Sequence, residues 1–162
     1  TAAMHLYNKG VIKNTESIEK GFANVCEMTG LMGRWQTIQK QPLVICDTGH
    51  NAGGWKYLSQ QIKHTPCKQR RIVFGMVDDK DLHSVMGMLP DDAVYYWTQP
   101  STHRAFPVHK VSETADAYDL QGKQYPTVME AYRAAITDAD KDDFIFVGGS
   151  SYVVADLLTG LQ

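Results

Sequence analysis

Residues 43–51 read LVICDTGHN, an unbroken apolar run that ends abruptly in polar residues and a glycine. A short continuous run of this kind is typical of a strand that is buried on both faces of a parallel sheet. Residues 52–64, which follow directly, have a helix-like sequence. The segment therefore predicts an α/β fold in which a polar loop joins a buried strand to a helix.

The same pattern recurs along the rest of the chain. Further strands are predicted at 71–76, 93–98 and 143–147, and further helices at 79–88, 125–138 and 151–161. Residues 106–119 favour a helix less strongly, with an interruption near Pro107, and residues 120–124 favour a short strand. Strands that alternate with helices predict right-handed crossovers and a doubly wound, mostly parallel sheet.

Residues 1–30 have a different character. Two short helices are predicted there, at 2–9 and 15–26; Asn14 or Thr15 can cap the second, and Gly30 ends it. The chain starts with Thr1 rather than methionine and enters helix-like sequence at once. We therefore expect it to be a fragment of a longer protein.

The bulk composition excludes several classes of function. A net charge of −2 over 162 residues offers no basic surface for nucleic acid or anionic lipid. The longest apolar runs are far too short to span a bilayer, and no GxxxxGK[ST] phosphate loop is present. The three cysteines are widely spaced and show no metal-ligand pattern, which predicts free thiols in a reducing cytoplasm.

Polar clusters follow every one of the main predicted strands. They occupy residues 47–51, 77–81, 99–104 and 148–151. Open α/β sheets bind ligands just beyond the carboxyl ends of their strands. The coincidence predicts a binding site that is assembled from these loops.

The cluster at 47–51 is the strongest of the four. Asp47 at a strand end can accept hydrogen bonds from ribose hydroxyls, as acidic residues do in dinucleotide folds. His50 and Asn51 open a helix, where free N–H groups and the helix dipole favour anions. The alternative is that Asp47 or Asn51 only caps the helix while His50 faces water.

Each of the other candidates also has a structural alternative. Arg34 is suited to phosphate oxygens, or it is an ordinary surface arginine. Lys80 lies among three aspartates that suggest either Mg²⁺ or, more simply, an acid-rich helix start. Ser150 or Ser151 can hold a carboxylate or cap the last helix. Residues 103–104, His-Arg, form a weaker positive spot.

Four motifs taken in order resemble the folylpolyglutamate synthases. They are LMGRWQ at 31–36, DTGHN at 47–51, FGMVDDKD at 74–81 and GSSY at 149–152. They are similar to the family's GR, DxAHNP, GMxxDKD and GSLY stretches. Three positions depart from those patterns: Gly49 replaces alanine, Ala52 replaces proline and Ser151 replaces leucine. The last change leaves open whether Ser150 or Ser151 makes the family's contact.

The resemblance implies a fold and a division of the chain. It implies the C-terminal domain of a Mur ligase, a Rossmann-like, mostly parallel six-stranded sheet flanked by helices, over residues 31–162. Residues 1–30 resemble the last helices of the preceding ATPase domain. The resemblance places Arg34 and Asp47 at ATP and places His50, Ser150 and, more weakly, Lys80 and Asn51 near glutamate.

The resemblance also implies a reaction. The family phosphorylates a carboxylate with ATP, and the amine of glutamate then attacks the acyl phosphate on a folate or pteroate substrate. ATP and Mg²⁺ are the expected cofactors, with the Mg²⁺ ligands outside this chain, and the missing ATPase domain is the expected partner. The isolated chain is expected to be inactive. Two other interpretations remain open: a stand-alone nucleotide- or anion-binding regulatory domain, and the equivalent domain of a cell-wall Mur ligase.

Overall fold

The computed structural model describes residues 2–78 and 81–162, with the backbone alone at Glu27. Contacts between Cα atoms divide the chain into two compact units, Thr1–Arg34 and Trp35–Gln162. None of the helices in the described ranges has the length and apolar character that crossing a membrane requires.

The first unit consists of three short helices: α1 (Ala2–Asn8), α2 (Thr15–Ala23) and α3 (Val25–Thr29). The Asn14 side chain caps α2 by accepting a hydrogen bond from the Ser17 N–H, and Gly30 ends α3 in the left-handed conformation. The predicted single helix over 15–26 is wrong, because the chain breaks at Asn24 and restarts as α3. The φ of −112° at Asn24 interrupts the helical path at that point.

The second unit is a six-stranded sheet flanked by five helices within the described residues. Its strands are β1 (Gln36–Lys40), β2 (Leu43–Asp47), β3 (Arg70–Phe74), β4 (Ala93–Trp97), β5 (Gly122–Gln124) and β6 (Phe144–Gly148). Its helices are α4 (Ala52–His64), α5 (Leu82–Met86), α6 (Val108–Asp116), α7 (Val128–Thr137) and α8 (Ser151–Gly160). The spatial order of the strands is β1-β2-β6-β3-β4-β5. All neighbouring pairs are parallel except β1 with β2. The predicted doubly wound, mostly parallel sheet is confirmed.

Two apolar layers cover the faces of this sheet. On one face Trp55 of α4, Val85 of α5 and Val111 of α6 pack in one cluster with Phe74 and Phe146. On the other face α7 and α8 pack over the alternate strand residues, including Val44, Val73 and Val147. Because helices cover both faces, the central strands β2, β3 and β6 are almost wholly buried, as their apolar runs predict.

The sequence prediction missed β1 and misplaced several ends. The sequence of β1, QTIQK, has a single large apolar residue, and the strand lies at an edge where only β2 pairs with it. The predicted strand 71–76 ends at Phe74, because Gly75 and Met76 already turn away from the sheet. Within the described part of the predicted helix 79–88, only the five residues of α5 are helical. Pro107 lies directly before α6 and does not interrupt it.

A buried ion pair lies at the amino end of the sheet. The Arg71 guanidinium donates from Nε and from one terminal nitrogen to Asp143 Oδ2, each at 3.0 Å. The Asp143 side chain is only 2% exposed and also accepts hydrogen bonds from the N–H groups of Gln69 and Asp140. The pair therefore joins β3 to the loop that precedes β6.

Asp143→Ala is expected to lower the free energy of unfolding by about 3–5 kcal/mol, because the substitution leaves the Arg71 charge buried without its partner. Urea denaturation of this chain measures the effect. Asp142→Ala, at the exposed neighbouring position, is the matched control and is expected to change stability by less than about 0.5 kcal/mol. Equal stabilities of the two variants would show that the ion pair adds nothing to the fold.

Candidate functional site

Four strands end level with one another at the carboxyl edge of the sheet. Asp47 of β2 pairs in register with Gly148 of β6, Gly148 with Phe74 of β3, and Phe74 with Trp97 of β4. The loops that leave these strands therefore emerge side by side. The sequence predicted four polar clusters after the strands. The structure brings three of them, at 47–51, 99–104 and 148–151, to this one edge.

The direction of the chain changes within this row. The loops after β2, β3 and β4 lead to helices on one face, whereas the loop after β6 leads to α8 on the other face. Neighbouring loops that leave toward opposite faces open a crevice between them, the usual ligand position in open α/β sheets. The crevice is thus expected on either side of β6.

Asp47 organises the first of these loops. Its Oδ1 accepts a hydrogen bond from the Gly49 N–H and its Oδ2 accepts one from the Trp35 N–H, both at 2.7 Å. Trp35 has a φ of 45°, a left-handed conformation that costs a residue with a side chain about 1–2 kcal/mol. The Asp47 carboxylate and the packing of the Trp35 ring near Phe144 and Phe146 hold this strained turn in place.

His50 and Asn51 have separate positions in the same loop. Asn51 is the N-cap of α4 and accepts a hydrogen bond from the Gly54 N–H at 2.8 Å. His50 is half-buried, and its Nδ1 lies 3.0 Å from the Thr48 carbonyl oxygen. A carbonyl oxygen only accepts, so this contact requires the proton on Nδ1 and leaves Nε2 of a neutral imidazole as an acceptor.

The loop after β6 holds the predicted serines. Ser150 is 1% exposed and caps α8 by accepting a hydrogen bond from the Val153 N–H at 3.2 Å. Ser151 begins α8 and is exposed. Gly149 precedes them with a φ of +104°, and a Cβ there would overlap the Gly75 carbonyl oxygen. Only glycine fits that position, which brings the loops after β3 and β6 into direct backbone contact.

Two candidates remain, Arg34 and Lys80. Arg34 is exposed and is the last residue of the first unit. Lys80 lies outside the described residues, as does Asp79. Asp81 is the N-cap of α5, where hydrogen bonds from the Ser84 hydroxyl and N–H lower the pKa of its carboxyl. Asp81 therefore caps a helix, which is the simpler of the two explanations given above for this acid-rich segment.

Metal and thiol chemistry have little support in the described ranges. No group of three or more histidine, cysteine, aspartate or glutamate side chains there is placed to hold a metal ion. All three cysteines are free. Burial raises the pKa of the Cys46 thiol, in β2, to about 12, so it stays protonated and is not a nucleophile.

Comparison with known proteins assigns the fold to a family. Residues 33–151 match the model of the Mur ligase glutamate ligase domain. The chain is 29% identical over 159 residues to the dihydrofolate synthase/folylpolyglutamate synthase of Escherichia coli, covering 98% of this chain and 36% of that protein. It thus spans about a third of the length of that relative.

Solved structures agree with this match. E. coli FolC in complex with DHPP and ADP superimposes with a TM-score of 0.73 at 28% identity, over 81% of this chain and 31% of that one. A bifunctional folylpolyglutamate synthase/dihydrofolate synthase with Mn, AMPPNP and L-glutamate bound superimposes with a TM-score of 0.72 at 30% identity, over 81% of this chain and 32% of that one. The predicted six-stranded Mur ligase fold is confirmed, and the chain belongs to the glutamate ligase domain family of the Mur ligases.

Proposed function

We propose that this chain is the C-terminal domain of an ATP-dependent ligase that adds glutamate to a folate or to dihydropteroate. The row of level strand ends carries the proposal, because it gathers Asp47, His50 and Ser150 at one edge of a glutamate-ligase fold. The matched relatives are folate enzymes, which supports the folate branch over a cell-wall ligase. No feature of the described residues favours a stand-alone regulatory domain.

In this proposal the reaction passes through an acyl phosphate. ATP phosphorylates the substrate carboxylate, and the amine of glutamate attacks the acyl carbon and displaces phosphate. The attacking amine must be neutral, so its ammonium form first loses a proton. The Nε2 lone pair of His50 is suited to accept a hydrogen bond from that amine, because Nδ1–H is already bound to the Thr48 carbonyl.

The nucleotide contacts are assigned to Arg34 and Asp47. Arginine matches phosphate oxygens with its planar fork of donors. Each of the two Asp47 oxygens accepts one backbone N–H, and a carboxylate offers about four lone-pair sites, so capacity remains for a ribose hydroxyl. The same carboxylate then fixes the loop and contacts the nucleotide.

The glutamate contacts are assigned to His50 and Ser150, with Asn51 and Lys80 as weaker contributors. The Ser150 hydroxyl already caps α8, but it retains its own proton as a donor. Ser151 is the exposed alternative at the same helix end. The N-terminal turn of α8 adds free N–H groups and a positive dipole, which favour a carboxylate.

We further propose that residues 1–30 belong to the preceding ATPase domain or its linker, and that residues 31–162 form the glutamate-ligase domain. The composition of the first unit's surface supports this division. Gly33 is the only buried residue among those described in that unit. Among residues 1–30, large apolar side chains are exposed instead, at Met4, Leu6, Tyr7, Val11, Phe22 and Met28. Helices with so little interior of their own require a covering partner.

An apolar hollow formed by α2 and the segments beside it offers a place for that partner. Ile18, Phe22 and Val25 line a hollow of about 430 Å³ together with Ala3 and Ile12. The ATPase domain is also where the phosphate loop and the Mg²⁺ ligands are assigned, since the described residues offer neither. Mg²⁺ would supply charge neutralisation for the phosphates. The three free thiols fit a cytoplasmic enzyme.

The isolated chain is expected neither to hydrolyse ATP nor to ligate glutamate, because it lacks a phosphate loop. It is expected to bind ATP with a dissociation constant on the order of 1 mM. Phosphate-release assays and titration calorimetry on this chain, with the complete ligase as the positive control, measure both quantities. Micromolar ATP binding or measurable ligation by the isolated chain would contradict the division of the site between two domains.

A further inference from the structure

One side chain of the core reaches the loop that carries Asp47 and His50. Trp55 is the fourth residue of α4 and is fully buried. Its indole Nε1–H donates a hydrogen bond to the Gly49 carbonyl oxygen at 3.2 Å. An indole nitrogen only donates, and a buried one usually has an acceptor. Here the acceptor is the residue directly before His50, yet Trp55 has no role in the function proposed above.

The indole ring of Trp55 is held by the sheet. Its centroid lies 5.6 Å from that of the Phe74 ring on β3 and 5.9 Å from that of the Phe146 ring on β6, both in edge-on geometry. Rings that pack in this way in a dense interior keep one orientation. The indole N–H is therefore a fixed donor, and it ties the loop after β2 to the centre of the sheet.

Gly49 lies unusually close to α4. A Cβ there would come 2.9 Å from Leu58 Cδ2 and 3.2 Å from Asp47 Oδ1. Glycine thus lets the backbone approach the helix that carries the indole. The DxAHNP pattern described above has alanine at this position, so the pattern itself does not require the approach. Both polar backbone groups of Gly49 are used, because its N–H donates to Asp47 Oδ1.

The bond from Trp55 fixes the peptide that leads into His50. The Gly49 carbonyl belongs to the same planar peptide unit as the nitrogen and Cα of His50. The His50 ring is held at its other end by the Thr48 carbonyl oxygen, 3.0 Å from Nδ1. Two contacts therefore set the direction of the imidazole. Asp47, in contrast, pairs within the sheet with Gly148 and does not depend on the indole.

We propose that Trp55 is a positioning residue for His50, and that its indole N–H sets the direction of the imidazole toward the incoming glutamate. This inference rests on the proposed ligase function. A group that must meet an amine at hydrogen-bond distance loses much of its effect when it moves by about 1 Å. An imidazole whose direction is fixed in advance needs no further ordering when glutamate binds.

Trp55→Phe in the complete ligase tests the role, because it removes the donor and keeps an aromatic ring. We expect the KM for glutamate to rise roughly 3- to 30-fold, the range for one lost hydrogen bond, while the KM for ATP changes less than about threefold. Steady-state kinetics at varied glutamate and at varied ATP measure both. Trp97→Phe is the matched control and should leave both values unchanged, since Trp97 packs edge-on against Phe74 in the same cluster but lies on β4.

A second replacement separates the donor from the volume of the ring, because a phenyl ring is smaller than an indole. Benzothienylalanine incorporated at position 55 has nearly the shape of tryptophan, with sulfur in place of the N–H. It is expected to raise the KM for glutamate as far as Trp55→Phe does. A normal KM with this residue beside a raised KM in Trp55→Phe would show that only packing matters, and the inference would be overturned.

Trp55 acts through His50 in this proposal, so the loss of His50 should abolish its effect. In a His50→Ala background, Trp55→Phe is expected to change the KM for glutamate by less than about twofold. Fully multiplicative effects would contradict the positioning role. Unchanged KM values in active, folded Trp55 variants would do the same and leave the ligase function standing. An unmodified complete ligase without activity contradicts the proposed function itself.

Discussion

Asp47→Ala in the complete ligase is expected to slow ligation roughly 30- to 1,000-fold under non-saturating ATP. The physical reason is the loss of a charge-assisted contact in a site from which water is excluded, worth about 2–4 kcal/mol of transition-state stabilisation. The substitution should mainly raise the ATP concentration that the enzyme requires. Steady-state kinetics at varied ATP and at varied glutamate measure the effect.

His50→Ala is the companion variant and should act on the other substrate. His50 is only half-buried and its ring contacts its own loop through Thr48, so its removal should open no core cavity and should leave folding intact. The required glutamate concentration is expected to rise while the required ATP concentration changes little. If Asp47→Ala and His50→Ala both raised the required concentration of the same substrate, the separate roles assigned to Asp47 and His50 would be contradicted.

The stability of the Asp47 variant must be measured beside its kinetics. Its two backbone hydrogen bonds hold the Trp35 turn and Gly49, so their loss is expected to lower the free energy of unfolding by about 2–3 kcal/mol. That loss exceeds the ~1 kcal/mol of a simple helix cap. Thr127→Ala, which removes only the cap of α7, is the control and should leave kinetics unchanged. Normal turnover in a destabilised Asp47 variant would refute the nucleotide contact.

Gly149→Ala should give the largest loss of stability of any glycine substitution at this edge. A residue with a side chain at a φ of +104° costs about 1–3 kcal/mol, and its Cβ would overlap the Gly75 carbonyl oxygen and lie 2.9 Å from the Phe74 ring. Overpacking of a well-packed region adds about 1–3 kcal/mol. We therefore expect a loss of about 2–6 kcal/mol, measured by urea denaturation of this chain.

Gly53→Ala is the matched control for this prediction. Gly53 lies in the first turn of α4, and a Cβ there would meet nothing closer than Asn51 Oδ1 at 3.4 Å. Alanine in a helix at a compatible position is expected to be neutral or to stabilise by up to about 1 kcal/mol. If both variants unfold at the same urea concentration, the close approach of the loops after β3 and β6 is not a constraint on the fold.

Much of the fold follows from local sequence. The apolar runs of β2, β3 and β6 are strong signals because these strands are buried on both faces; β4 is buried over its last three residues, and helix-like segments separate the strands. The caps were equally readable: Asn14, Asn51 and Ser150 are short polar residues placed before helical stretches, and each accepts the expected backbone hydrogen bond. The sequence also predicted that polar clusters would follow the strands.

Other features needed the tertiary structure because their partners are distant in the chain. Strand β1 has too few apolar residues to be recognised alone, and only its pairing with β2 makes it a strand. The sequence did not predict that β6, the last strand, lies between β2 and β3, yet that order brings Asp47 and Gly148 level. The assignments of Arg34, Asp47, His50, Asn51, Lys80 and Ser150 to substrates remain predictions.

The sequence by itself thus determined the α/β class, the position of its loops and the family resemblance, because periodicity, capping and short motifs act over a few residues. Only the tertiary structure decided which loops become neighbours and which side chains are already in use. Asp47 accepts an N–H from Trp35, twelve residues away, and Arg71 pairs with Asp143 across 72 residues. Such contacts depend on strand order, which no local pattern encodes.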